Sequence, residues 1–372
     1  MTHSVASFIF SKTKIFIALS TATVLLTACG SSDSKLKNET SELDIAAVEV
    51  IDNTIIPAVA RFQLQTQALA DSSTNFCATG NINTENLTQV QEQWKATHAA
   101  WFELLPYRFG PMINGLLSST YMYIDSYRNN GDKYTATVRA TITNLLANNS
   151  LSAATFENLS PDKTGLLALE VTLFENSVTQ SQAPSQIISE FDGSNKCQIL
   201  TGYATELVRN ATIIQQGWVN NYRNTGKNYR ELVINGQLKE TLDDETEDTA
   251  IKRITVSVQN FYDYLANRNL TTDTAQLAGS IWQSLERALK NTEELLQGTS
   301  ATTISLNQIM NNNRFEQTVA DLQSNIKTLR TELDDESSIN MKAAAATLDG
   351  NFKRDIPDAL NINLGLNFSD GD

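Results

Sequence analysis

The chain has 372 residues, 41% of them hydrophobic, with 28 Lys and Arg against 42 Asp and Glu for a net charge of −14. That length has room for two domains with their own hydrophobic cores. The acidic balance argues against nucleic acid and against an extended basic membrane-binding face. Its two histidines are His3 and His98, and with His3 in a leader that is removed, no His-rich zinc site of the His₂Glu type can be built.

Residues 1–28 read as a targeting segment. Lys12 and Lys14 precede an apolar run from Ile15 to Leu26, and Leu26-Thr27-Ala28-Cys29 resembles a bacterial lipobox. Cleavage before Cys29 and lipidation of its thiol would anchor the protein to a membrane. An ordinary signal peptide followed by a chance Cys is the alternative reading. Gly30, where an Asp would signal inner-membrane retention, points to the outer membrane and the periplasmic face. Residues 29–40 are small and polar, a tether. With Cys29 acylated, Cys77 and Cys197 remain as an even pair in an oxidising compartment. A disulfide is expected; two buried free thiols are the other possibility.

From Ser41 the pattern is helical almost throughout. Ser41 and Asp44 form a capping start for Ile45, Val48, Ile51, Ile55, Val59 and Phe62, and Pro57 should kink or split that helix. Residues 71–83 read as a loop carrying Cys77. Leu87, Val90, Trp94, His98, Trp101 and Leu105 make the stripe of a second helix, which Pro106 ends. A lone His on such a face is a hydrogen-bonded core residue or a ligand, and the core role is the commoner. Glu103 should point away from that stripe unless Pro106 already distorts the helix there. The turn at Tyr107-Arg108-Phe109-Gly110-Pro111 can aim Arg108 inward. Tyr121, Tyr123 and Tyr127 pack in the core or line a cleft, and Asn129-Asn130-Gly131 breaks the chain. Asp132 then opens a helix with Tyr134, Val138, Ile142 and Leu145 inside.

Ser160-Pro161-Asp162 reads as the start of the helix that carries Glu170. Leu166 and Leu167 lie one turn before Glu170, and Leu173 and Phe174 one turn after it. A carboxylate ringed by apolar side chains needs a partner, a raised pKa or a ligand. Arg108 is the first candidate partner, either as a structural ion pair or as part of a site.

Residues 179–195, with Pro184 and Asp192-Gly193, mark a boundary. Beyond it a helix begins near Cys197 and runs through Leu200, Leu207, Ile214, Trp218 and Tyr222. Residues 224–238 read as a connection. Thr241 caps a helix whose acids, Asp243 to Asp248, form a solvated cap or a cation site. Ile251 to Leu265 continue that helix, and others follow through Leu277–Leu296 (ended by Gly298), Phe315–Leu333 and Asn340–Leu348. The fold expected is all-α: two helical bundles side by side, 41–190 and 195–372. A duplication would relate them, although no residue-level repeat demonstrates one.

Gly165, Leu167 and Glu170 fall on the spacing of the GxHxxE motif, so the chain resembles the imelysin-like proteins of the bacterial envelope, with Leu167 at the His position. Trp94 to Pro111, the Lys196-Cys197-Gln198 helix start and the last residues, Leu364 to Asp372, extend the resemblance over nearly the whole mature chain. It implies an all-α fold of two related bundles with the motif near their interface, and a role in iron- or haem-linked uptake with other envelope proteins. On that reading Glu170, Arg108, Glu103, His98, Trp101, Tyr107 and Gly165 line a polar pocket, and a metal ion such as iron is the cofactor to test. The tail acids Asp370 and Asp372 are surface residues or oxygen ligands. Haem has little support, with one mature His and no CxxCH. The alternative is a metallopeptidase, which needs about three protein ligands and an open position; Leu167 removes a ligand from that scheme.

Overall fold

Ser41 Oγ accepts the Asp44 N–H at 3.1 Å while the Asp44 carboxylate accepts the Ser41 N–H at 3.3 Å, the reciprocal cap that starts α1 (Glu42–Val50). The computed structural model describes residues 41–115, 118–125, 134–238, 248–270, 274–299 and 304–364. The leader, Cys29, the tether, Tyr127, Asn129-Asn130-Gly131, Asp132, Thr241, Asp243 to Glu247 and the tail acids lie outside them. Every regular element among the described residues is helical.

Pro57 has the effect its chemistry requires. Its ring would collide with the carbonyl four residues earlier, and Ile51–Ile55 open into a π turn in which the Ile56 N–H reaches back to the Ile51 carbonyl. The chain then continues as α2 (Ile56–Phe76). The same arrangement recurs near the other end, where the π turn Asn351–Asp355 precedes Pro357. Helix α2 runs further than expected, to Phe76 within the stretch expected to be a loop, and Cys77 is its C-cap. Helix α3 (Thr84–Leu104) carries the predicted stripe and ends in a 3₁₀ turn at Leu105–Tyr107. Next come α4 (Thr135–Leu146), the short α5 (Ala153–Glu157), α6 (Gly165–Phe174), α7 (Pro184–Phe191) and α8 (Lys196–Val219).

After α8 stand α9 (Tyr229–Ile234), α10 (Ala250–Asn267), α11 (Ile281–Gln297), α12 (Leu306–Asn312), α13 (Glu316–Asp334), α14 (Ser338–Gly350) and α15 (Ile356–Leu360). Helices α5, α7, α9 and α12 are too short to show a periodic stripe; α7 lies in the expected boundary segment and α9 in the expected connection. Helix α10 is capped by Thr249, and Asp248 pairs with Lys252 at 2.7 Å.

Helix α2 packs on α3 and α8, α6 on α8 and α4, and α3 on α11, while α10 and α13 both pack on α14. Residues 192–195 join α7 to α8, and α8 lies against α2. A covalent tie reinforces that contact. Cys77 and Cys197 are joined in a disulfide with Cα atoms 5.5 Å apart, fastening the end of α2 to the start of α8. Next to it Lys196, fully buried, donates to Glu190 and, at 3.0 Å, to the carbonyl of Glu175. Burial lowers the pKa of its ammonium, and the hydrogen bond to Glu190 opposes that shift.

Candidate functional site

All ten residues of α6 are buried, as expected of a helix that is apolar all round. It starts later than the sequence suggests. Pro161–Lys163 form a separate 3₁₀ turn and Thr164 is extended. Gly165 enters at φ +78°, where a Cβ would lie 2.5 Å from the Ile124 carbonyl oxygen, so only glycine fits this turn. The Leu166 N–H donates to that same oxygen at 2.8 Å. Helix α3 fixes the other side of α6: Trp94 Nε1 donates to the Leu166 carbonyl at 3.1 Å, and Gln91 to the Leu173 carbonyl at 2.8 Å.

This clamp holds Glu170 at 2% exposure. Its Oε1 accepts the backbone N–H groups of Leu277 and Ala278 at 2.9 and 3.0 Å. Burial pushes its pKa up from 4.5 to about 7, an effect that the two amides oppose and nearby Glu175 adds to. Beside it is a cavity of about 280 Å³ lined by Thr135, Ala136, Arg139, Leu167, Glu170, Gln276 and Leu277. Arg139 is held by Glu175 through two hydrogen bonds of 2.6 Å each, and Glu175 is itself fully buried.

Of the seven residues expected to line a pocket, Glu170 alone lines this one. Gly165 shapes the turn that delivers it. Arg108 is not its partner: the guanidinium lies over the Tyr121 ring, 5.1 Å from the centroid. The neighbouring Phe109 packs on Trp218 and Tyr229, which anchors the turn. Glu103 pairs with Arg61 of α2 at 2.5 Å. His98 is a fully buried core residue, stacked on Trp94 and Phe102 with ring nitrogens 2.7 Å from Ser284 Oγ and 3.0 Å from Thr274 Oγ1. Trp101 donates to Asp125 at 2.7 Å. The Tyr107 hydroxyl donates to Asn291, and burial raises its pKa well above the ordinary value.

Arg139, Thr135 and Gln276 are the polar cavity residues that the sequence reading passed over. Arg139 sits one residue after the core position Val138, where it reads as an ordinary surface residue of α4. Only its pairing with the buried Glu175, 36 residues away in sequence, gives it a different meaning. Two larger grooves, of about 520 and 580 Å³, contain none of the seven residues.

The imelysin (peptidase M75) family model matches residues 55–364. The chain belongs to the imelysin family. No curated protein sequence matches it. Among solved structures it is similar to an imelysin-like protein from Psychrobacter arcticum 273-4, with 16% identity and a TM-score of 0.64 over 87% of this chain and 97% of that one. At that identity the likeness shows the fold. In this imelysin-family chain Leu167 lines the Glu170 cavity with an apolar side chain.

Among the described residues, no three His, Cys, Asp or Glu side chains lie close enough together to hold a metal ion. The described cavity lining provides one carboxylate, already accepting two amides, a leucine and a guanidinium. This donor set does not fit a zinc ion with three protein ligands, so no hydrolytic step follows from it.

Proposed function

We propose that this imelysin-family protein is a non-enzymatic binding lipoprotein, lipidated at Cys29, facing the periplasm from the outer membrane and serving iron-linked uptake. The observation that supports a binding role is the cavity at the altered motif. Among the described residues, Glu170 is held there by backbone amides alone, with apolar Leu167 and Leu277 beside it and Arg139 on the wall. Apolar surface with a few convergent polar groups is what a small-ligand pocket requires. Family membership and the lipobox-like Leu26-Thr27-Ala28-Cys29 support the envelope setting. The same donor set favours an organic ligand or a chelated ion over a bare catalytic metal, and this speaks against the peptidase reading.

The test is iron uptake by a bacterium from which the protein has been deleted, complemented with the wild type, Cys29→Ser or Glu170→Gln. Under iron limitation the wild type is expected to restore uptake and both variants to fall short. Normal uptake in the deletion strain, or peptide cleavage by the purified protein, would refute the proposal.

A further inference from the structure

The Glu170 cavity presents two charged groups whose atoms the fold leaves partly unused. Both amide bonds to Glu170 fall on Oε1, so Oε2 has no hydrogen bond from a described residue, although the side chain is almost entirely buried. On the same cavity wall, Arg139 uses Nε and Nη2 to hold Glu175, and Nη1 is outside that pair. Glu175 neutralises Arg139, which leaves the ionised Glu170 as the net charge of the described cavity lining.

These features select among ligands. A simple anion would meet Glu170 and, behind Arg139, Glu175. An apolar ligand would desolvate Oε2 without replacing its hydrogen bonds to water. A hard cation such as calcium takes six to eight oxygen ligands, more than this wall provides. An organic ammonium group brings three N–H donors to an acceptor that has none, at the strength of a charge-assisted hydrogen bond. At about 280 Å³ the cavity falls just below the range of roughly 300–1,000 Å³ typical of ligand pockets, so the ligand is small.

We propose that the cavity binds a small organic ammonium compound, whose –NH₃⁺ donates to Glu170 Oε2 while an oxygen acceptor on the same molecule takes a hydrogen bond from Arg139 Nη1. The proposal rests on the reading of this cavity as the ligand site and assigns its ligand class. Thr135 and Gln276 then face the remainder of the ligand.

The test is calorimetry on the full chain in non-ionic detergent with ethanolamine, propylamine and acetate, with zinc chloride and iron(III) citrate titrated in parallel. Ethanolamine is expected to bind one per chain, propylamine more weakly because it lacks the acceptor, and acetate not at all. Glu170→Gln keeps an oxygen for the two amides, so its fold, checked by circular dichroism, should persist while ethanolamine affinity drops roughly thirtyfold or more. Wild-type affinity should rise with pH through about 7, where Glu170 ionises. Equal or tighter binding of acetate, unchanged ethanolamine binding by Glu170→Gln, or no amine binding at millimolar concentration would overturn the proposal. If zinc or iron citrate binds and is lost in the variant while amines fail, the ligand class is wrong and the cavity remains the site. If every probe fails, both readings fall.

Discussion

Replacing Glu170 with Gln should make this protein more stable at neutral and alkaline pH. Glu170 is 2% exposed, and its pKa moves from 4.5 in the unfolded chain to about 7 in the fold. At roughly 1.4 kcal/mol per pKa unit, the ionised group destabilises the native state by about 3 kcal/mol relative to its protonated form. The sign follows from proton binding. Between pH 4.5 and 7 the folded protein holds a proton that the unfolded chain has released, so this group's contribution to stability falls as pH rises. Above pH 7 it is level. Gln cannot ionise, and its amide oxygen still accepts the Leu277 and Ala278 N–H groups. The gap between variant and wild type should therefore be under about 1 kcal/mol at pH 5 and grow to about 3 kcal/mol at pH 8. At roughly 2 °C per kcal/mol for a chain of this size, the difference in Tm should widen by about 5 °C between those two conditions, as read by circular dichroism melts in matched ionic strength. A difference that stays constant from pH 5 to 8, or a variant less stable than wild type at pH 8, would refute the reasoning. Either would mean that the two amides outweigh burial and keep the carboxylate ionised throughout.

Three further outcomes are expected. Arg139→Leu leaves the buried Glu175 carboxylate without its two 2.6 Å bonds and should destabilise the fold by about 2–4 kcal/mol, the lower part of that range reflecting Arg139's partial exposure; urea unfolding measures it, and a loss under 0.5 kcal/mol would contradict the pairing. Gly165→Ala must adopt φ +78° with Cβ in contact with the Ile124 oxygen, so a penalty of about 2–3 kcal/mol and a lowered Tm are expected. Reduction of the Cys77–Cys197 bridge, which spans 120 residues, should lower stability by up to about 5 kcal/mol on the chain-entropy estimate. Denaturant midpoints with and without reductant provide that measurement, and Cys77→Ala should behave as the reduced wild type does.

What the sequence revealed, and what it hid, divides along the range of the interactions. The stripe Leu87-Val90-Trp94-His98-Trp101 marks the buried face of α3 because periodicity is local. Pro57 announces an interrupted helix because the clash lies within one turn. The sequence suggests a side-chain partner for Glu170, and the fold instead provides two backbone N–H groups from residues 107 and 108 positions away. Backbone donors are carried by almost every residue, so no sequence pattern marks the two that are used. Arg108 looked suited to an inward role from its turn, yet Tyr121 takes its guanidinium face. Arg139 gave the opposite error. It is partly exposed and looks like surface, while its buried partner makes it part of the cavity wall. The late start of α6 also escaped the sequence, since Ser160-Pro161-Asp162 is as good a start for a 3₁₀ turn as for an α-helix.

The two π turns carry a consequence for comparing this chain with its relatives. Each holds one residue more than an α-helical turn, and one α-helical residue corresponds to a rotation of about 100°. Deleting a single residue within Ile51–Ile55 would regularise the helix locally, but it would rotate α1 by that angle relative to α2 and carry Ala46, Ala47 and Val50, all buried, out of the core. The surplus residue thus sets the phase between two apolar faces that a continuous α-helix would misalign. One-residue gaps at these two places in an alignment then mark changes of helical phase, whereas a gap of the same length in the connection at residues 224–228 would only alter the length of a loop.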